Sequence, residues 1–188
     1  MESKKVHVAL IRGINVGRAK RVAMGDLRAL VESLGYRDVR TLLNSGNVVF
    51  TARAGAANAA ARIEKGLASE IGVPARVIVL SPDEMDEIVE GNPFGSRADN
   101  PSRLLVAVVG DPTTLRKLAP VEKEDWGTAE LAVGTRAAYM WCPEGLLAGK
   151  LVEAAGRALG DGATTRNWAT ITKLHGLMTG ATPTPERK

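Results

Sequence analysis

The sequence predicts an α+β fold made of two ferredoxin-like (α/β plait) subdomains, the second either incomplete or carrying an extra C-terminal helix. The first part of the chain follows the order β-α-β-β-α-β of the split βαβ unit, and the second part repeats that order loosely. We place the first subdomain at 1–81 and the second at 103–178. A helix and linker at 82–102 would connect them, and a flexible tail would follow at 179–188.

Apolar periodicity indicates each element of the first half. The run 6–12 is mainly apolar and of strand length, whereas 23–35 spaces its apolar residues three and four apart, as on one face of a helix. The turn-forming stretch "NSGN" at 44–47 separates two short strands and is typical of a tight hairpin. A second helix at 57–72 and a strand at 75–81 complete the unit.

The second half contains the same kinds of signal. Ser81 and Pro82 mark the start of a helix, because serine caps and proline fits the first helical position. The remaining predicted elements are a strand at 103–110, a short helix at 111–119, a hairpin at 129–142, a helix at 146–160 and a last helix from about Thr165 to Met178. A fourth strand is missing from this pattern or is replaced by the last helix.

Composition limits the classes of function only weakly. The net charge of +4 slightly favours anionic partners. The single cysteine, Cys142, excludes a disulfide framework within the chain, and no apolar run is long enough to span a bilayer. We therefore expect a cytoplasmic protein without a membrane partner, and the oligomeric state stays open.

The predicted topology brings a basic loop next to the first hairpin. Strands 1 and 2 of a split βαβ unit are parallel, with strand 3 between them, so "RGINVG" at 12–17 and "NSGN" should share one end of the sheet. Glycine turns expose backbone N–H groups that bind anions, and arginine adds two donors. The predicted ligand-binding residues here are Arg12, Gly13, Asn15, Gly17, Lys20, Asn44, Ser45, Gly46 and Asn47. The alternative is an ordinary turn beside a solvated loop.

A second candidate lies in "ATTRNW" at 163–168. A helix starting at a threonine cap would place Thr165, Arg166 and Asn167 at its N-terminus, where helix N–H groups favour anions. Lys150 is a further candidate that would approach the first site from the second half. The alternative is a capped amphipathic helix whose Trp168 packs in the core.

Catalytic and metal-binding patterns do not emerge from the sequence. His7 and His175 fit packing positions better than a metal pair, and Cys142 has no evident base beside it. The charged loop at 121–127 surrounds Trp126, which would cover the sheet or mark a binding surface. We expect no cofactor and no metal.

Four motifs together resemble a bacterial family of domains of unknown function, namely "LIRGINVG", "NSGNVVF", "NPF" at 92–94 and "TTRNW". The resemblance covers about residues 5 to 178 and implies two ferredoxin-like subdomains but no activity. It differs in two places, since Arg18 replaces a usual glycine and Gly149 replaces a usual serine before Lys150. The motif positions that carry over are Arg12, Gly13, Asn15, Gly17, Asn44, Ser45, Gly46, Asn47, Asn92, Phe94, Thr165, Arg166, Asn167 and Trp168.

These observations favour binding of an anionic ligand, which would be a nucleotide, RNA or a phosphorylated metabolite. Two alternatives stay open. One is an enzyme that acts on a small anionic substrate between the subdomains, and the other is a protein-interaction module that uses a sheet edge.

Overall fold

The computed structural model describes residues 5–16, 21–52, 56–95, 99–145 and 149–180. Its contacts divide the chain into two compact units, Met1–Asp83 with Lys173–Lys188, and Glu84–Thr172. Each unit contains one four-stranded antiparallel sheet, as the α+β prediction of two plaits requires.

The first unit has strand order β2-β3-β1-β4. Its elements are β1 (Lys5–Ile11), α1 (Met24–Ser33), β2 (Arg37–Leu42), β3 (Asn47–Ala52), α2 (Ala59–Gly66) with a π-helical turn (Leu67–Ile71), and β4 (Val77–Leu80). Ala9 and Ile11 of β1 belong to a core shared with the buried faces of α1 and α2. Gly66 allows the two helices to approach closely, because a Cβ there would lie 2.5 Å from Cδ1 of Leu30.

The second unit has strand order β6-β7-β5-β8, which repeats the first. Its elements are α3 (Pro82–Glu90, from Glu84 onward), β5 (Leu104–Val109), two 3₁₀ helices (Pro112–Leu118 and Val121–Lys123), β6 (Glu130–Val133), β7 (Ala137–Trp141), α4 (Lys150–Leu159), a 3₁₀ turn (Gly160–Gly162), β8 (Ala163–Asn167) and the start of α5 (Trp168–Thr179). The residues of α5 from Lys173 onward belong to the first unit. Helix α4 and the first 3₁₀ helix pack on one face of this sheet.

The two sheets also repeat each other's backbone hydrogen bonds. In the first unit the N–H of Ile11 donates to the carbonyl of Gly46 at 2.8 Å, just where β1 ends. In the second unit the N–H of Val109 donates to the carbonyl of Arg136 in the same way, at 3.4 Å. The second plait is therefore a complete copy of the strand arrangement.

The fourth strand of the second plait is present, so the expectation of an incomplete plait is wrong and the extra C-terminal helix is real. Residues 163–167 form β8, which pairs with β5 in the register Val106↔Arg166, and the helix begins only at Trp168. Thr165 therefore lies within a strand and caps no helix. The β-branched Thr164 and Thr165 suit an extended backbone, and burial alternates with exposure around them.

Helix α3, which the sequence suggests as a connector, packs in the second unit. The hydroxyl of the buried Tyr139 donates to the carbonyl of Ile88 at 2.7 Å, and Arg136 pairs with Glu84 at 2.8 Å. The boundaries proposed at 82–102 stay a prediction, and the segments 96–98 and 181–188 lie outside the described residues. Within the described part of the chain, no helix is both long enough and apolar enough to cross a membrane.

Candidate functional site

Three backbone segments meet at one end of the first sheet, and we call this end the rim. They are residues 12–16 after β1, residues 43–46 between β2 and β3, and Arg76 before β4. The N–H of Ile11 donates to the carbonyl of Gly46, and the N–H of Arg12 donates to the carbonyl of Arg76 at 2.8 Å. The expected proximity of the loop and the hairpin is confirmed.

The side chain of Asn15 holds the rim together. Its Nδ2 donates to the carbonyls of Val22 and Asn44, each at 2.9 Å. Its Oδ1 accepts the N–H of Val22, also at 2.9 Å. One amide therefore joins Asn15 to the backbone of Val22 and to the hairpin.

The backbone of Asn15 is adapted to this role. Its φ of +57° lies in the left-handed region, which asparagine tolerates better than most side chains. Gly13, two residues earlier, has a φ of +67° with open space around it, so glycine is needed there for conformation alone. The sequence motif "GIN" is thus explained by how the chain turns after β1.

The hairpin differs from the predicted turn by one residue. The loop consists of residues 43–46, and Asn47 is the first residue of β3, paired with Leu42. Asn47 is fully buried, and its Nδ2 donates to the carbonyl of Leu42 and to Oγ of Ser45, each at 2.9 Å. Asn47 therefore supports the loop from beneath, whereas Asn44 and Ser45 are exposed.

Gly46 brings the hairpin against the end of β1. Its φ is +76°, and a Cβ at this position would lie 3.0 Å from Cβ of Ile11 and 3.0 Å from Cδ1 of Ile14. No other residue type fits both the conformation and the space.

Two aliphatic side chains project from the rim into solvent. Within the described ranges, Val16 and Leu43 are the large hydrophobic residues left exposed, at 71% and 57%. Val16 follows Asn15 and Leu43 precedes Asn44, and these two asparagines are joined by a hydrogen bond. Leu43 also has a φ of +58°, which is uncommon for a branched side chain.

The rim contains two arginines, Arg12 and Arg76, and Arg76 pairs with Glu64 at 3.6 Å. The stretch 12–22, which begins in the rim, contains four basic residues and no Asp or Glu. Arg12 is half-buried and Arg21 exposed. Gly17 and Lys20, both predicted as ligand-binding residues, lie outside the described residues, as does Arg18.

The candidates in "TTRNW" take different places in the second unit. Thr165 is exposed on β8, and Arg166 is buried, its Nη1 donating to Oγ1 of Thr164 at 3.0 Å and to the carbonyl of Thr165 at 2.8 Å. Burial lowers the pKa of Arg166 to about 10. Asn167 is the cap of α5, since its Oδ1 accepts the N–H of Thr170 at 2.9 Å.

Lys150 lines a cavity of about 500 Å³ in the second unit. The cavity is formed by the stretches 124–129, 142–145 and 149–151. Its charged lining consists of Lys150 and three carboxylates, those of Glu124, Asp125 and Glu144. The surroundings of Lys150 are thus acidic, unlike the anion site for which the sequence suggests it.

His7 and Cys142 occupy buried positions, and His175 is half-buried. His7 is buried and stacks on Phe50, with ring centroids 5.8 Å apart. Cys142 is buried, and burial raises the pKa of its thiol. In the part of the chain that the structure describes, no three His, Cys, Asp or Glu side chains are placed to hold a metal ion.

Sequence reasoning missed several residues that shape these sites. Val22 offers only its backbone to Asn15, so its side chain gives no signal. Leu43 looks like a continuation of the apolar strand, and only its backbone conformation separates it from Leu42. The cavity wall combines stretches that are distant in sequence, although the unusual position of Trp126 in a charged loop was a usable signal.

The fold and the rim define a protein of two ferredoxin-like plaits with one elaborated loop end. The chain belongs to the family described as protein of unknown function (DUF1697), whose model matches residues 5–139. That description gives no activity.

A solved structure supports the fold. The chain is similar to the conserved bacterial protein SP0830 from Streptococcus pneumoniae, with a TM-score of 0.75 and 22% sequence identity. The similarity covers 94% of this chain and 99% of that one. No curated protein matches the chain.

Proposed function

We propose that the protein binds a phosphate-bearing anionic ligand, such as a nucleotide or RNA, at the rim. The observation that carries this proposal is the triple hydrogen bonding of the Asn15 side chain. It fixes the base of a loop whose sequence contains Arg18, Lys20 and Arg21 but no carboxylate.

Electrostatics explains why such a loop suggests a ligand. Like charges that are close together in the sequence repel one another, and the repulsion is relieved when an anion binds among them. A loop that served only to connect β1 with α1 would gain nothing from this concentration of charge. The three hydrogen bonds of the Asn15 side chain therefore support a role in binding better than a purely connecting role.

Residues of the rim, together with the exposed Arg21, would supply the proposed contacts. Arg12 and Arg21 would hold the phosphate, while Asn44 and Ser45 would donate from the hairpin. Lys20, Gly13, Gly17 and Gly46 would contribute charge or backbone N–H groups. Asn47 would position the hairpin rather than contact the ligand, because its side chain is buried.

The exposed aliphatic residues extend the same surface. Val16 and Leu43 flank the Asn15–Asn44 hydrogen bond, so they offer an apolar patch beside the cations. A ligand with both an apolar part and a phosphate, as a nucleotide has, would use both.

The remaining predicted residues have separate roles in this proposal. Thr165, Arg166 and Asn167 would serve the second plait through the contacts of β8 and the cap of α5. Lys150 belongs to the acidic cavity.

Equilibrium binding of a fluorescein-labelled, single-stranded RNA of mixed sequence tests the proposal, with ATP as a competitor. We expect binding that weakens steeply with salt, because phosphate contacts release counterions. Arg12→Ala and Arg21→Ala should each weaken binding and lower the logarithmic salt slope by about 1.

A matched control is Arg157→Ala, which removes an exposed arginine that pairs with Glu153 on α4. It should leave RNA binding unchanged. The proposal is wrong if neither RNA nor ATP binds the intact protein, or if Arg157→Ala weakens binding as much as Arg21→Ala.

A further inference from the structure

The second unit contains a cavity that the proposed function does not use. Its volume of about 500 Å³ lies within the range of small-molecule sites. Its described lining residues belong to the second unit and come from the loop before β6, the segment after β7 and the start of α4.

Trp126 lines the cavity, and its indole ring is held in place. Trp126 is half-buried and packs against the core of the second unit. Its Nε1 donates to the carbonyl of Val121 at 2.8 Å, so the donor of the indole is occupied and its orientation is set. The ring can therefore contribute to the cavity through its π surface.

Two of the carboxylates are held in place by the same loops. Oε1 of Glu144 accepts the hydroxyl of Thr128 at 3.0 Å, which joins the loop before β6 to the segment after β7. Oδ1 of Asp125 accepts the N–H of Gly127 at 2.9 Å. Each carboxylate has a second oxygen with further acceptor capacity.

The backbone beneath the cavity is also anchored. The guanidinium of Arg103 donates to the carbonyl of Pro143, and the N–H of Cys142 donates to the carbonyl of Arg103. The buried Cys142 thiol adds a neutral wall, since burial raises its pKa. The cavity is thus formed by several anchored segments of the chain and not by a single acidic loop.

The charge of the lining selects the ligand. The lining contains three carboxylates and one ammonium group, all on exposed residues, in a chain whose net charge is +4. Among the described residues, these carboxylates do not form a group of three that could hold a metal ion. An organic cation can contact carboxylates from several loops, and its charge can also lie over an indole ring.

We propose that this cavity binds a small organic cation that carries an ammonium group. The carboxylates of Glu124, Asp125 and Glu144 would neutralise the charge, and Trp126 would contact the carbon part. Lys150 would oppose binding, which is the reverse of the role that the sequence suggests for it.

Calorimetric titration with 1,4-diaminobutane and with tetramethylammonium tests this proposal on the full chain. We expect saturable binding of at least one of them, and no binding of acetate. Glu144→Gln should weaken the binding roughly fivefold, because one charge is lost while the amide oxygen can still accept from Thr128. Lys150→Met should strengthen it, because a repelling charge is removed.

Glu153→Gln is the matched control. Glu153 lies on α4 one turn beyond Lys150 and pairs with Arg157, and it does not line the cavity. Its substitution should leave the affinity unchanged, and thermal melting would confirm that each variant is folded. Absence of saturable binding by both cations, or weaker binding by Lys150→Met, would overturn the proposal.

Discussion

At the scale of single residues, Leu43 combines two unfavourable properties. Its φ of +58° costs a leucine roughly 1 kcal/mol, and its side chain is 57% exposed. Backbone strain of this kind is often found at functional sites. The position of Leu43 on the rim therefore agrees with a role in binding rather than in folding.

Replacing Leu43 with asparagine should separate these roles. Asparagine tolerates the left-handed region, so Leu43→Asn should raise the free energy of unfolding by roughly 0.5–1 kcal/mol. The same change removes the apolar contact and should weaken binding of the labelled RNA. Urea unfolding and RNA titration measure the two effects.

Leu43→Ala is the comparison variant, because it removes the same apolar surface but keeps a side chain that disfavours this conformation. It should weaken binding without raising stability. A Leu43→Asn protein no more stable than Leu43→Ala would contradict the assignment of strain to this residue.

At the scale of elements, the end of the second plait shows how a strand and a helix cap follow each other. Residues up to Asn167 belong to β8, and the side chain of Asn167 then accepts the N–H of Thr170 in the first turn of α5. The capping residue is thus the last residue of the strand.

Alanine substitution distinguishes this arrangement from a helix that starts at Thr165. Asn167→Ala should lower the free energy of unfolding by about 1 kcal/mol, because the cap of α5 is lost. Asn167→Asp should retain most of the stability, since a carboxylate accepts the same bond. Both are measured by chemical denaturation.

Thr165→Ala supplies the control for the element boundary. Thr165 is exposed on β8, so its loss should change stability by less than that of Asn167. A larger loss at Thr165 than at Asn167 would place the cap two residues earlier.

The elements also show what the sequence could reveal. Long apolar runs such as β5 and the helical periodicity of α1 are local signals, so these elements were predicted. Strand β8 was missed because threonine also favours helix caps, and its pairing with β5 is decided by distant residues. The position of the rim follows from the order of the elements, because that order sets the topology. The hydrogen bonds of the Asn15 side chain, in contrast, depend on the backbone of Val22, which gives no side-chain signal.

At the scale of the whole molecule, stability should depend on pH through buried groups. Burial and the nearby Glu87 raise the pKa of Tyr139 to about 12, whereas a free tyrosine titrates near 10. The stability linked to this raised value is present below pH 10 and is lost as the pH rises towards 12. Arg166 has a lowered pKa, so its effect is the opposite: its contribution to stability rises with pH over the alkaline range.

Comparison of the wild-type protein with Tyr139→Phe isolates the tyrosine. At neutral pH the variant should be less stable by about 1–3 kcal/mol, because the buried carbonyl of Ile88 loses its donor. The difference should shrink by roughly 1 kcal/mol between about pH 9 and about pH 11. Urea unfolding across this range measures it, and a constant difference would exclude Tyr139 as the titrating group.

The repetition of the strand hydrogen bonds in the two plaits has a consequence for engineering. The connection after the first strand spans residues 12–23 in one copy and only 110–111 in the other, yet both strands end with the same bond to their hairpin. The pairing of the strands therefore does not depend on the length of this connection. The connection should accept inserts of very different length. A longer connection grafted after Val109 would follow a strand whose counterpart in the other copy already carries one.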